Sequence, residues 1–149
     1  MFIFDLDGTL ANTEHRQHHL RKEKKDWKGW HESADNDPPH VPVFDVFCAL
    51  RAAGFKCILL TGRFDSYHAQ TLNWVNYYAT PPVKSQDLYM RAFDDHRDDD
   101  IVKKEMLGKI LLETGATVDG IFEDRHRVVQ MWKKEGYYVF DCNQSGEIF

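Results

Sequence analysis

The sequence predicts an α/β fold in which a parallel sheet of five strands is covered by helices on both faces. Two observations predict it. Short apolar runs at residues 2–4, 57–60, 88–90, 120–122 and 137–140 are continuous rather than alternating, as strands buried on both faces are. Longer segments with helical spacing separate them, and strand–helix–strand alternation builds parallel sheets, because parallel neighbours need a crossover long enough to hold a helix.

The elements follow in order. The first strand, residues 2–4, runs into "DLDGT". Residues 12–42 then break the alternation. They are strongly charged and end in Asp37-Pro38-Pro39, which a helix does not tolerate. A connection this long inside a compact domain is usually a lid or a substrate-contacting insertion, so it is expected to form a small cap. Helices are predicted at 43–53, closed by Gly54; at 67–78, closed before Pro81 and Pro82; at 101–113, closed by Gly115; and at 128–135, closed by Gly136. No internal repeat or low-complexity tract interrupts them.

Composition bounds the function. A chain of 149 residues, 42% hydrophobic, makes one compact core and is too short for two ordinary domains, so residues 1–149 are expected to form a single domain. A formal charge of −5, with acids and bases spread along the chain, excludes a protein that coats nucleic acid non-specifically but leaves room for a local basic patch. Cys48, Cys57 and Cys142 are odd in number and far apart, so buried reduced thiols are expected rather than disulfides or a zinc site. With no basic leader and no run of 18 uncharged apolar residues, a soluble cytoplasmic protein without a membrane partner is expected.

Four stretches carry chemistry. In "FDLDGT", Asp5 and Asp7 fall at the carboxyl end of the first strand, where open α/β sheets place their ligand crevice. They share a face unless the turn at Gly8 redirects Asp7. Two acids in one crevice can divide into nucleophile and proton carrier when their environments separate their pKa values. "ILLTGR", 58–63, ends a strand in a hydroxyl and exposed N–H groups beside a glycine, a phosphate-sized anion site. "DDDIVKKEML", 98–107, opens a helix carrying Lys103 and Lys104, only one of which can face a site, since adjacent helical positions lie about 100° apart. "GIFEDR", 120–125, ends a fourth strand with two further acids. Each stretch alone has an ordinary structural account: a turn with a capping aspartate, a strand end, a capped helix, a solvated pair. Their order together does not.

In that order they resemble the haloacid dehalogenase superfamily over essentially the whole chain. More closely, the chain resembles the 3′-phosphatase domain of phage-type polynucleotide kinase-phosphatases, through "DLDGTLA" with Arg16 nine positions after Asp7, "TGR" at 61–63, "LYMR" at 88–91, "RDDDIVK" at 97–103 and "EDRHRVVQMW" at 123–132. The resemblance implies the superfamily's three-layer fold, with the cap inserted after the first strand, and a Mg2+-dependent phosphatase. Asp5 would be the nucleophile and Asp7 the acid/base, a role suited to a raised pKa. Asp5, Asp124 and the backbone carbonyl of Asp7 would hold the metal. Thr61 and Gly62, with Thr9 of the first motif, would bind phosphate, and Lys103 would neutralise charge. Arg16 and Arg63 would contact substrate or phosphate, and Asp99 would orient Lys103 or an arginine. Glu123 stands where close relatives commonly carry an aspartate, which leaves open whether it lies behind the metal or on a metal-bound water. No G-x-x-x-x-G-K-[ST] loop occurs, so no kinase activity is expected.

Other features have plainer readings. His15, His18 and His19 lack a fourth ligand at a recognisable spacing and read as solvated cap histidines. The acidic run 94–100 lacks the glycine and glutamate of a calcium loop and reads as a helix start with capping acids. Trp74, Tyr77 and Trp132 read as packing residues. "RKEKKDWKGW", 21–30, reads either as a strip that tracks a nucleic-acid backbone and stacks a base, or as a charged cap surface with one packed tryptophan. The expected substrate is a 3′-phosphate on a polynucleotide end, with a separate kinase or ligase as a partner. A nucleotidase for free nucleoside monophosphates is the alternative enzyme, and a non-catalytic module that binds phosphorylated ends is the alternative outside enzymes.

Overall fold

The computed structural model describes residues 1–144. Five strands, β1 (Phe2–Phe4), β2 (Cys57–Phe64), β3 (Leu88–Arg91), β4 (Gly120–Glu123) and β5 (Val139–Asp141), form one parallel sheet in the order β3-β2-β1-β4-β5. The register sets Phe4 beside Leu59 on one side and Phe122 on the other, so the chain leaves β1, β2 and β4 along the same edge.

The helices are α1 (Trp27–Glu32), α2 (Val41–Ala52), α3 (His68–Tyr78), α4 (Asp99–Thr114) and α5 (His126–Lys134). The period of two along β1 sorts the core into two layers. Phe4 packs with Phe44 and Phe47 of α2 and Trp74 of α3, whereas Ile3 packs with Leu107 and Ile110 of α4 and Val128 and Trp132 of α5. The sheet is therefore sandwiched, as the continuous apolar strands predict. Gly115, at φ 61, closes α4 in the left-handed conformation that glycine adopts without strain.

Four local expectations change. β2 runs on through Phe64, carrying Thr61, Gly62 and Arg63 inside the strand rather than beyond it. Its register against β3 shifts between Thr61 and Phe64, the irregularity that an extra residue in one strand produces. Tyr77 is not a packing residue; it is 82% exposed, because α3 buries Thr71, Trp74 and Val75 and a position two beyond Val75 points about 200° away. Cys57 and Cys142 are buried and free, but Cys48 is only half-buried. The acids that open α4 make no side-chain cap; Asp98 and Asp100 pair with Arg127 instead.

Residues 12–42 fold as two short 3-10 turns, Glu14–His19 and Ser33–Asn36, flanking the one-and-a-half-turn helix α1. The Asp26 side chain accepts the Gly29 N–H at 2.9 Å and starts α1. Among the described residues no helix is long and apolar enough to cross a membrane.

Candidate active site

The turn after β1 is a local product of "DLDGT". The Leu6 carbonyl accepts the N–H groups of Thr9, Leu10 and Ala11 at 3.1, 2.9 and 2.8 Å, and Gly8 takes φ 87. Only glycine serves there for a second reason: a Cβ would lie 2.0 Å from Oδ2 of Asp124. The turn splits the two aspartates between two clusters.

The first cluster joins the ends of β1 and β4 to α4. Lys103 Nζ lies 2.9 Å from Oδ1 of Asp5 and donates to Oε2 of Glu123 at 2.7 Å. Asp124 accepts the Thr9 hydroxyl at 3.2 Å. Asp5, Glu123 and Asp124 are buried and bring one carboxylate oxygen each to within 4.8 Å of one another. Burial pushes the Asp5 carboxyl up to about 7, against the pull of Lys103. Burial, then the charge of Asp5, pushes Asp124 up to about 7. Burial would lower the Lys103 ammonium, but the charges of Asp5 and Glu123 outweigh it and raise its pKa. Lys104 is exposed and pairs with Glu135 at 2.7 Å, on the other side of the helix.

Three carboxylates around one ammonium leave two negative charges without a counterpart in a water-poor place. Such an oxygen donor set fits a hard divalent cation.

The second cluster is balanced, with two carboxylates between two guanidiniums. Asp7 accepts from Arg16 Nη2 at 2.6 Å and from Arg63 Nε and Nη2 at 2.9 and 2.5 Å. Asp37, with no exposed side-chain surface, accepts from Arg16 Nε and Nη2 at 2.7 and 2.5 Å and from Arg63 Nη2 at 3.0 Å. Trp74 Nε1 fixes the Asp37 carbonyl at 2.8 Å, and the Trp30 carbonyl accepts from Arg16 Nη1 at 3.2 Å. Burial would raise the Asp7 carboxyl, but the guanidiniums of Arg63 and Arg16 hold it well below the usual carboxylate range.

These contacts revise one expectation and narrow two others. Asp7 does not have a raised pKa, because it sits between two guanidiniums. Arg16 and Arg63 are buried and their charges are committed to Asp7 and Asp37 rather than open to solvent; only Arg63 Nη1 is buried without a partner. Of the two partners expected for Asp99, the structure has the arginine: it meets Arg91 and Arg125 and not Lys103. It also lies against Gly62, where a Cβ would come 2.8 Å from Oδ1 of Asp99. Thr61 is buried beside Arg63, whose N–H donates to its hydroxyl at 3.2 Å.

Asp37 is the site residue that the motifs do not reveal. Its only signal is an aspartate held in front of two prolines at the end of a charged insertion, and its partner Arg16 is 21 positions away. Of the histidines, His15 reaches Asp37 at 2.8 Å and His19 reaches Asp26 at 3.0 Å.

Residues 1–146 match the family of the polynucleotide kinase PNKP phosphatase domain. The chain belongs to that family. It is a phosphatase of the haloacid dehalogenase type. A chain in the structure of a Pnkp1/Rnl/Hen1 complex is 31% identical with a TM-score of 0.78; the match covers 98% of this chain and 46% of that one. A chain in the Pnkp1/Rnl/Hen1 RNA repair complex is likewise 31% identical, with a TM-score of 0.72, over 94% of this chain and 41% of that one. The chain thus spans less than half the length of these relatives. The class C acid phosphatase from Bacillus anthracis shares the fold at 12% identity and a TM-score of 0.71, over 96% of this chain and 66% of that one. No curated protein matches the sequence.

Proposed function

We propose that the protein is a Mg2+-dependent phosphomonoesterase that removes 3′-phosphate from polynucleotide ends through an aspartyl-phosphate. The observation that supports this most is the buried Asp5 carboxylate, held by Lys103 and flanked by Asp124, in a chain of the PNKP phosphatase family. A buried carboxylate at a strand end, with a second acid two residues on, is the arrangement of a nucleophile and a proton carrier. A binding module would not need it.

Asp5 and Asp124, with the Asp7 backbone carbonyl, would hold the cation. When bound, the metal offsets the repulsion between an anionic nucleophile and an anionic phosphate. Glu123 has its own task, fixing Lys103, so its assignment is to the lysine rather than to the metal. Lys103 steers Asp5 and shares its charge. Thr61 and the N–H groups around Gly62 would receive the phosphate oxygens, with the unpartnered Arg63 Nη1 as a further donor.

Asp5 attacks phosphorus, and the ester oxygen leaves with the proton of Asp7 as the alcohol. Asp7, now ionised, takes a proton from water as the water oxygen attacks the aspartyl-phosphate; this frees phosphate and restores both acids. Arg16 and Arg63 favour the ionised Asp7 of the second step. The protonated form that the first step needs is therefore scarce at neutral pH, and turnover at saturating Mg2+ should increase as pH falls from 8 toward 6.

That one of the similar chains is part of an RNA repair complex supports a nucleic-acid end as substrate and a separate ligase or kinase as partner. The test is phosphate release with Mg2+ from 3′-phosphorylated and 5′-phosphorylated DNA and RNA oligonucleotides and from nucleoside monophosphates, with Asp5→Asn as control. Turnover confined to the 3′-phosphorylated oligonucleotides is expected. Turnover mainly of the monophosphates would make the protein a nucleotidase.

A further inference from the structure

The tryptophans of the cap separate in the structure. Trp30 is buried, its ring 4.0 Å from the Arg16 guanidinium carbon, while Trp27 is 48% exposed. Trp27 opens onto a cleft of about 260 Å3, with Lys28 and His31 from α1, Phe64 from the end of β2, Tyr67 from the connection between β2 and α3, and Phe93 from the chain after β3. His31 stacks on Tyr67 at 4.8 Å, nearly parallel, and makes the floor. Phe93 is 66% exposed, with its backbone tied to Asp65 at 3.1 Å. Two large aromatic side chains left in water across one cleft are a cost that a merely structural surface avoids.

Both walls of the cleft grow from the residues that clamp Asp7. Phe64 follows Arg63 directly, and Trp27 lies one helical turn before Trp30, which carries Arg16. The cleft is thereby joined to the arginine clamp around Asp7 by direct neighbours in the chain. Two lysines stand on the Trp27 side: Lys25, whose Nζ lies 5.7 Å from the centre of the Trp27 ring, and Lys28, which lines the cleft and also pairs with Glu32 at 3.7 Å. Aromatic faces beside lysines are suited to flat bases strung on phosphates.

We propose that the Trp27–Phe93 cleft binds a nucleobase of the last two nucleotides of a single-stranded 3′ end, stacking it while the terminal phosphate occupies the site. The base must leave a duplex stack to lie there, so unpaired ends are the preferred substrates. This inference rests on the 3′-phosphatase reading.

Its test compares a 3′-phosphorylated single-stranded oligonucleotide with the same strand carrying an abasic residue at either of the last two positions, in the wild type, Trp27→Ala, Phe93→Ala and Trp27→Tyr. The wild type should show a KM about tenfold higher on one of the abasic strands. Trp27→Ala should lose about tenfold on the intact strand and little more on that abasic strand, and Trp27→Tyr should recover most of the loss. Equal KM for intact and abasic strands in the wild type, or an equal loss on all of them in Trp27→Ala, overturns the cleft and leaves the phosphatase reading standing. A wild type that hydrolyses nucleoside monophosphates but not the intact 3′-phosphorylated strand overturns both.

Discussion

Asp5 and Asp7 are two residues apart in the sequence and lie in opposite electrostatic settings. Asp5 shares one ammonium with Glu123 and Asp124; Asp7 shares two guanidiniums with Asp37. The first cluster has two unbalanced negative charges, and the second has none. Desolvation raises both, although Asp5 is buried and Asp7 only partly so, and the sign of each pKa shift is decided by the count of neighbouring cations. The comparison teaches that the site separates its acids by charge balance: the cluster left short of positive charge is the one whose oxygens fit a cation, and the balanced one holds Asp7, the proposed proton carrier, in a fixed place.

The largest break comes from Asp5→Asn. Phosphate release should fall to background, while the metal-free protein should melt about 5 °C higher at pH 8, since a neutral amide removes one of the repelling charges. A melting temperature unchanged by the substitution would remove the charge deficit from the first cluster.

Asp37→Asn tests the balanced cluster. It leaves Arg16 and Arg63 buried with one carboxylate between them, at a cost of about 3 kcal/mol, and turnover should drop because Asp7 loses the frame that orients it. Chemical denaturation and kcat measure the two effects. In the same variant at the first cluster's metal site, Mg2+ affinity should change little.

A pH series sharpens the contrast further. Asp5 and Asp124 titrate near pH 7 when folded and near 3.8 when unfolded, so the folded state binds more protons between these values. Metal-free stability should therefore fall as pH rises from about 4 through 7 and level off above it. Adding Mg2+ at pH 8 should restore most of the loss, a shift of a few degrees by calorimetry. His31 acts at the other end: burial lowers it to about 4, so its contribution is present above its ordinary 6.5 and is lost as pH falls from there toward 4.

The smallest effect belongs to Glu123→Asp, which shortens the acid that holds Lys103 by one methylene. Because Asp5 also holds the lysine, kcat should change by less than about tenfold. A complete loss would move Glu123 from the lysine to the metal.

Most of the fold was legible because its determinants are local. Continuous apolar strands require cover on both faces, glycines at 54, 115 and 136 end helices, and the "DLDGT" turn follows from a strand meeting a glycine. Tyr77 was misread because an aromatic at near-core spacing looks the same on either side of a helix until its neighbours are placed.

The candidate site divides in the same way. The sequence by itself determined which residues stand at the strand ends, since strand, turn and helix phase are set within a few positions; Asp5, Asp7, Thr61, Lys103 and Asp124 are where that phase puts them. Only the tertiary structure decided their partners. Arg16 and Arg63 look like phosphate ligands in the chain and are buried around Asp7 and Asp37 in the fold, and of Trp27 and Trp30 one lies in the cleft and the other under an arginine. The physical reason is that a charge takes its pKa and its role from neighbours within a few ångströms, and those neighbours come from elements 20 to 115 residues away that meet only when the sheet and the segment 12–42 close.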